Sequence, residues 1–246
     1  MVADAEQTGE PLLVVRQVAA ALADATPWTV PDQLCRAYQQ AMAADSVVLS
    51  ALPHTAQCHL IHATGPLALQ GEEAQFTLGD GPTITASACG RPVLVPDLRT
   101  TTLPLSAHLA ACLPAARTVL AVPVSLRQVD LGVITLYYTQ PRTIGENAVG
   151  HAHCAAQLAV EPLIQARETL AADGDDWPMP APWSTVHEAI GMISARLGCP
   201  AADALDLLRG HSFTTGYSLP HIAIKILTYF ANADSQDDDP GQRAAT

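Results

Sequence analysis

The sequence predicts an α+β fold: an antiparallel sheet flanked by helices, followed by a small all-α bundle of three helices. Three observations predict it. Stretches with helical apolar spacing bracket two pairs of short, uncharged runs rich in Val, Ile and Leu, the pattern of a sheet with helices around it. Composition then breaks at residues 173–182, where three Asp, one Gly and three Pro stand within ten positions. Beyond the break come three single apolar stripes and no strand pattern.

Residues 12–23 and 31–43 carry apolar residues at helical spacing, with Pro27 and Pro31 marking the interruption and Asp32 near the start of the second helix. Residues 46–52 and 58–63, bounded by Pro53 and Gly65, read as a strand hairpin. Residues 118–126 and 131–138, joined across 127–130, are the strongest strand pair. Between the pairs lie a turn from Leu78 through Gly79, Asp80 and Gly81 to Pro82, an Ala-rich turn of helix ending at Gly90, and the run from Arg91 to Leu98. Residues 147–170 return to helix, with Pro162 as a kink.

In the bundle, Ser184 is the expected N-cap, and Val186, Ile190, Ile193 and Leu197 form one stripe that Gly198 ends. Pro200 suits the first position of the next helix, whose Ala201, Ala204, Leu205 and Leu208 share a face before Gly210. A polar turn from Thr214 to Tyr217 leads to Ser218 as cap, Pro220 in the first turn, and a helix with Leu219, Ile222, Ala223, Ile226, Leu227 and Phe230 on one face. Such a bundle is near the lower size limit for a self-sufficient core, so docking on the larger domain or on a second copy is expected. The predicted organisation is a disordered N-terminus (1–9), a large domain (10–172), an acidic Pro-rich linker (173–182), the bundle (183–233) and a disordered acidic tail (234–246).

The net charge of −12 and the single lysine, Lys225, argue against a generally basic binder of nucleic acid or anionic membrane. Partition narrows that argument. Residues 1–172 hold 8 basic and 14 acidic groups, residues 173–182 carry −3, residues 183–233 are neutral with three of each sign, and residues 234–246 carry −3. Asp4, Glu6 and Glu10 without a basic segment do not make a signal peptide, and no uncharged apolar run reaches the roughly 18 residues of a spanning helix. A soluble, cytoplasmic protein is expected. The six cysteines, at 35, 58, 89, 112, 154 and 199, form no Cys-x-x-Cys pair and read as reduced thiols. No metal site is expected: a strand sets Cys58 and His62 on the face opposite His59, and a helix separates His151 from His153.

The runs LGDGPTITASACGRPVLVPDL and RTVLAVPVSLRQVDLGVITLYY resemble a GAF domain of the type found in actinobacterial regulators, over about residues 10–170. The resemblance implies a GAF-like antiparallel sheet with helices on both sides. It also implies a pocket between the sheet and the long loop segment, used to bind a small molecule, to carry a cofactor in some members, or accompanied only by dimerisation. No particular cofactor is implied, and the ligand is unnamed. Asp80, Cys89 and Asp97 are the pocket candidates. Asp80 offers either a ligand contact or plain turn chemistry. Cys89, two residues before Arg91, offers either a reactive thiolate or an inert thiol.

VHEAIGMISARLGCPAADALDLLRGHSFTTGYSLPHIAIKIL resembles the ANTAR domain, the RNA-binding module of bacterial transcription antiterminators, over nearly all of residues 184–230. Ala189 with Gly191 and Met192, Ala195 with Arg196, Gly198, the run from Asp203 to Arg209, Ser212, and Leu219 with Ile222 and Ala223 carry it. The resemblance implies RNA, as structured leader hairpins, for a partner and two copies acting together as a homodimer, with residues 147–170 as the dimerisation helix. The RNA-binding candidates are Ala189, Gly191, Arg196, Arg209, Ser212, Tyr217, His221 and Lys225. This sequence departs from the family where Gln-Ala-Lys-Gly is replaced by Glu188, Ala189, Ile190 and Gly191, and where Gly216, Tyr217 and Ser218 stand for an Asn followed by basic residues. Loss of those cations weakens phosphate attraction.

The expected function is therefore a signal-responsive RNA-binding transcription antitermination regulator, with a GAF-like sensor and an ANTAR-like bundle, catalysing no reaction. A bundle used for protein contact or dimerisation without RNA is the alternative. A DNA-binding helix would need more cations than the third helix holds. A GAF-fold thiol enzyme would rest on Cys89 and Cys112.

Overall fold

The computed structural model describes residues 12–51, 59–100, 104–126, 129–178 and 181–237. These fall into two units, one ending before and one beginning after residues 179–180. No helix among the described residues is long and apolar enough to cross a membrane.

The first unit begins with α1 (Leu13–Ala23) and α2 (Val30–Ala41), followed by β1 (Ser46–Ala51), β2 (His59–Ala63), α3 (Pro66–Leu78), α4 (Pro82–Cys89), β3 (Val93–Val95) and α5 (Pro104–Cys112). It continues with β4 (Thr118–Leu126), β5 (Val129–Tyr138), α6 (Glu146–Leu158) and α7 (Val160–Ala172). The strands make one antiparallel sheet in the order β2-β1-β5-β4-β3, with Val48 opposite Thr135 and Leu120 opposite Leu136. The predicted hairpin and strand pair thus join as neighbours in one sheet.

Strand alternation gives the sheet two unlike faces. On the first, Val47, Leu49, Leu120, Val122, Ile134, Leu136 and Tyr138 are buried in one apolar cluster with Val18, Leu34, Ala152, Ala156, Val160 and Leu163 from α1, α2, α6 and α7. Tyr38 is fully buried there, and its hydroxyl donates to the Ala152 carbonyl at 2.6 Å, tying α2 to α6. On the second, Ser46, Val48, Ser50, Thr135 and Tyr137 lie under α3 and α4.

Three elements of this unit carry no periodic signal. α3 buries Ala68, Gly71, Glu72 and Gln75, so its inward face is small or polar and no apolar stripe marks it. β3 is a three-residue edge strand, paired only to β4. α5 is short. The kink expected at Pro162 is realised as a break at Ala159, which separates α6 from α7. Proline has no N–H for the Leu158 carbonyl, and its ring crowds that carbonyl.

The second unit is three helices, α8 (Ala181–Leu197), α9 (Ala201–Thr215) and α10 (Leu219–Asp237). Trp183, Val186, Ala189, Ile190, Ile193, Ala204, Leu205, Leu208, Leu219, Ile222 and Ala223 are its buried apolar residues. Several boundaries differ from the expected ones. α8 starts ahead of Ser184, and Leu197, at the end of the expected stripe, is 64% exposed. Pro200 caps α9 rather than opening it. α9 runs through Gly210 and turns off only at Gly216, which has φ 71°. Its polar end is helical because side chains satisfy the backbone: the Ser212 hydroxyl donates to the Tyr217 carbonyl at 2.6 Å, and the Thr214 and Thr215 hydroxyls donate to the His211 carbonyl. α10 extends four residues into the segment read as tail. The N-terminus read as disordered (1–9) and residues 238–246 of the tail lie outside the described residues.

Tyr38→Phe deletes one buried hydrogen bond while keeping the ring, so it is expected to lower unfolding free energy by about 1 kcal/mol in urea titration.

Candidate functional site

Beneath α3 and α4, the polar face of the sheet closes around one carboxylate. Glu72, 1% exposed, accepts hydrogen bonds from Ser50 Oγ at 3.0 Å, Thr83 Oγ1 at 2.8 Å and Tyr137 OH at 2.8 Å. The Thr83 and Thr135 hydroxyls are 2.8 Å apart, and Gln75 accepts from the Thr83 backbone N–H at 2.8 Å. Burial pushes the Glu72 carboxyl up, and the three hydroxyl donors oppose that push. Burial, then the neighbouring Glu72, holds the Tyr137 phenol protonated, well above its ordinary value. Packing is tight: a Cβ at Gly71 would sit 2.3 Å from the Tyr137 ring, and one at Gly81 would sit 2.3 Å from the Gln75 amide oxygen, with φ at 149°.

This cluster occupies space between the sheet and the segment in which a ligand pocket is implied. The three pocket candidates each make local contacts. Asp80 Oδ1 accepts from the backbone N–H of Gly81, the turn chemistry of its motif. Cys89 is exposed at the end of α4, with its sulfur 3.8 Å from the Ala86 carbonyl oxygen and 3.6 Å from that of Arg91. Asp97 is gripped by Arg117 through two hydrogen bonds, 2.9 and 2.6 Å, which hold its carboxyl at about 2. Cys112 is exposed at the end of α5.

A cavity of about 440 Å³ lies on the other side of the sheet, bounded by β1, β2, β5, α7 and Trp177. Leu49, Ile61, Leu131, Leu163 and Ile164 form apolar wall, and none of Asp80, Cys89 or Asp97 lines it. Trp177 stands in the segment read as linker, and its indole N–H donates to the Pro27 carbonyl at 2.9 Å. Neither the Glu72 cluster nor this cavity was singled out from sequence. Ser50 and Thr135 on the strand face opposite Leu49 and Ile134 are the signal that could have revealed the cluster.

In the second unit the structure joins three of the eight RNA-binding candidates. The Tyr217 and His221 rings stack at 4.5 Å with 22° between planes, and Lys225 Nζ lies 4.1 Å from the Tyr217 ring centre. All three are exposed. Arg196 lies 4.4 Å over the Phe230 ring, and Arg209 meets Asp206 at 3.2 Å. Gly191 is exposed, whereas Ala189 and Ser212 are buried. Large apolar side chains also face solvent: Leu207, Phe213, Ile224 and Tyr229 are each more than half exposed. No group of three metal-capable side chains gathers among the described residues.

An antiparallel five-stranded sheet of this order, covered by helices on both faces, is the architecture of a GAF-like domain. Residues 26–161 match the GAF domain family, and the chain belongs to it. Among solved structures, the chain is similar to the GAF domain of a phosphoenolpyruvate-protein phosphotransferase from Coxiella burnetii, with 14% identity, 67% of this chain and 99% of that one covered, and a TM-score of 0.51. It is also similar to a free methionine-R-sulfoxide reductase from Neisseria meningitidis, solved with its substrate, with 18% identity, 63% and 89% covered, and a TM-score of 0.50. At these identities the likeness is one of fold. No curated protein matches the chain.

The Asp97–Arg117 pair sets an acid limit. Because Asp97 is held at about 2, below its ordinary 3.8, its contribution to stability is complete above pH 4 and lost as pH falls toward 2. Thermal melts should therefore fall less steeply between pH 4 and pH 2 for Asp97→Asn than for the unaltered protein. Tyr137→Phe removes a buried donor to Glu72 and should cost about 1–3 kcal/mol in urea unfolding.

Proposed function

We propose that the chain is a cytoplasmic, signal-responsive transcription antitermination regulator. Its GAF domain senses a small molecule or joins two copies, and its helical bundle binds structured nascent RNA. No bond is made or broken in this reading. The observation that carries it is the exposed stack of Tyr217 on His221 with Lys225 against the same ring. Unpaired RNA bases are recognised by stacking on aromatic side chains and by hydrogen bonds to their edges, and a single cation beside the platform supplies a phosphate contact. The ANTAR-like sequence of residues 184–230 supports the same partner. DNA is not the favoured nucleic acid, because Lys225 is the one cation in the third helix.

The proposed homodimer uses the outward side of α6, where Leu158 is 47% exposed. The inward side is committed to the domain's own core through Ala152, Ala155 and Ala156. With α6 and α7 broken at Ala159, pairing is confined to short helices rather than one long coiled coil.

A second reading, contact with protein instead of RNA, is favoured by the exposed Leu207, Phe213, Ile224 and Tyr229. Filter binding of full-length protein to a two-hairpin leader RNA at several salt concentrations separates the two. With Arg196, Arg209 and Lys225 as the bundle's cations, log affinity against log salt should slope no more steeply than about −3. Tyr217→Ala should cost about 1–3 kcal/mol of binding, and Lys225→Ala should flatten the slope by about one contact. Absence of binding at low salt would leave the protein-contact reading.

A further inference from the structure

The cavity beside α7 lies on the apolar side of the sheet, away from the Glu72 cluster, and has the chemistry of a second kind of site. Its volume of about 440 Å³ falls within the roughly 300–1,000 Å³ typical of small-molecule sites. Its wall is apolar except for Arg167, Glu168 and the Trp177 side chain, whose N–H is already given to Pro27. Arg167 and Glu168 are exposed, and neither is held in an ion pair among the described residues.

This charge pattern selects the head group of an occupant. A carboxylate entering beside Arg167 would also meet Glu168. An ammonium beside Glu168 would meet Arg167. An uncharged group that both donates and accepts can satisfy the guanidinium and the carboxylate together, with no like-charge penalty. We propose that this cavity binds an uncharged amphiphile, an apolar chain or ring ending in a hydroxyl or primary amide. Trp177 reports its occupancy, because it forms part of the cavity wall and its indole N–H tethers the segment after α7 to the turn between α1 and α2.

The probe series is 1-octanol, octanoate and octylamine, titrated into 15N-labelled full-length protein. The chain has three tryptophans, so the Trp177 indole resonance can be assigned by its disappearance in Trp177→Phe. Saturable, one-to-one binding of 1-octanol, with movement of that resonance and with octanoate and octylamine binding more weakly, is the expected result. Ala171→Phe, at an exposed cavity-lining position, and Ile164→Phe should each weaken 1-octanol binding by at least about tenfold while leaving the circular dichroism spectrum and melting temperature near those of the unaltered protein. No saturable binding of 1-octanol, or binding unchanged in both folded variants, overturns the site. Tighter binding of octanoate or octylamine overturns the head-group assignment.

Discussion

The antiparallel pairing of β1, β5 and β4 is the constraint on which the rest of the first unit depends. Once Val48 faces Thr135 and Leu120 faces Leu136, strand alternation sends Leu49, Ile134 and Val122 to one side, and Ser50, Thr135 and Tyr137 to the other. A slip of one residue would drive Tyr137, Thr135 and Ser50 into the apolar core and expose its hydrocarbon. The register is therefore strongly specified, and it determines what each layer of helices must supply. α1, α2, α6 and α7 supply aliphatic surface. α3 and α4 supply Glu72, Gln75 and Thr83, which complete hydrogen bonds the polar strand face requires.

This division separates the domain's two interiors by chemistry. Around Glu72 the donors converge on one carboxylate, and Gly71 and Gly81 let backbone approach side chains closely enough to close the cluster. On the other side, packing between the β1–β2–β5 edge and α7 leaves space, with Trp177 as part of its wall. The domain thus gathers polar groups on one face of its sheet and leaves an apolar-lined space on the other. The placement of Trp177 also means that the acidic stretch after α7 contributes a structural residue before the chain reaches the second unit.

In the bundle, the same physical economy operates on a smaller scale. Ser212, matched on motif grounds to an RNA-binding position, spends its hydroxyl on the Tyr217 carbonyl and so positions Tyr217 at the start of the last helix. Arg196 covers the ring of Phe230, which is itself partly buried.

The sequence by itself determined the strand pairs, the helices with apolar stripes, the two-part organisation of composition and the GAF assignment. Periodic burial of hydrocarbon leaves a local record of elements such as β4, β5 and α2. It did not reveal α3, because a helix that buries Gly71, Glu72 and Gln75 has no apolar stripe, and it stopped α9 at Gly210, because hydroxyl bonds to the backbone leave no hydrophobic signature. Only the tertiary structure decided that Asp80, Cys89 and Asp97 are engaged locally, that Glu72 meets Tyr137 across 65 residues of chain, and that Trp177 reaches Pro27 across 150. Such contacts depend on which faces meet after the strands pair, and local spacing carries no record of that.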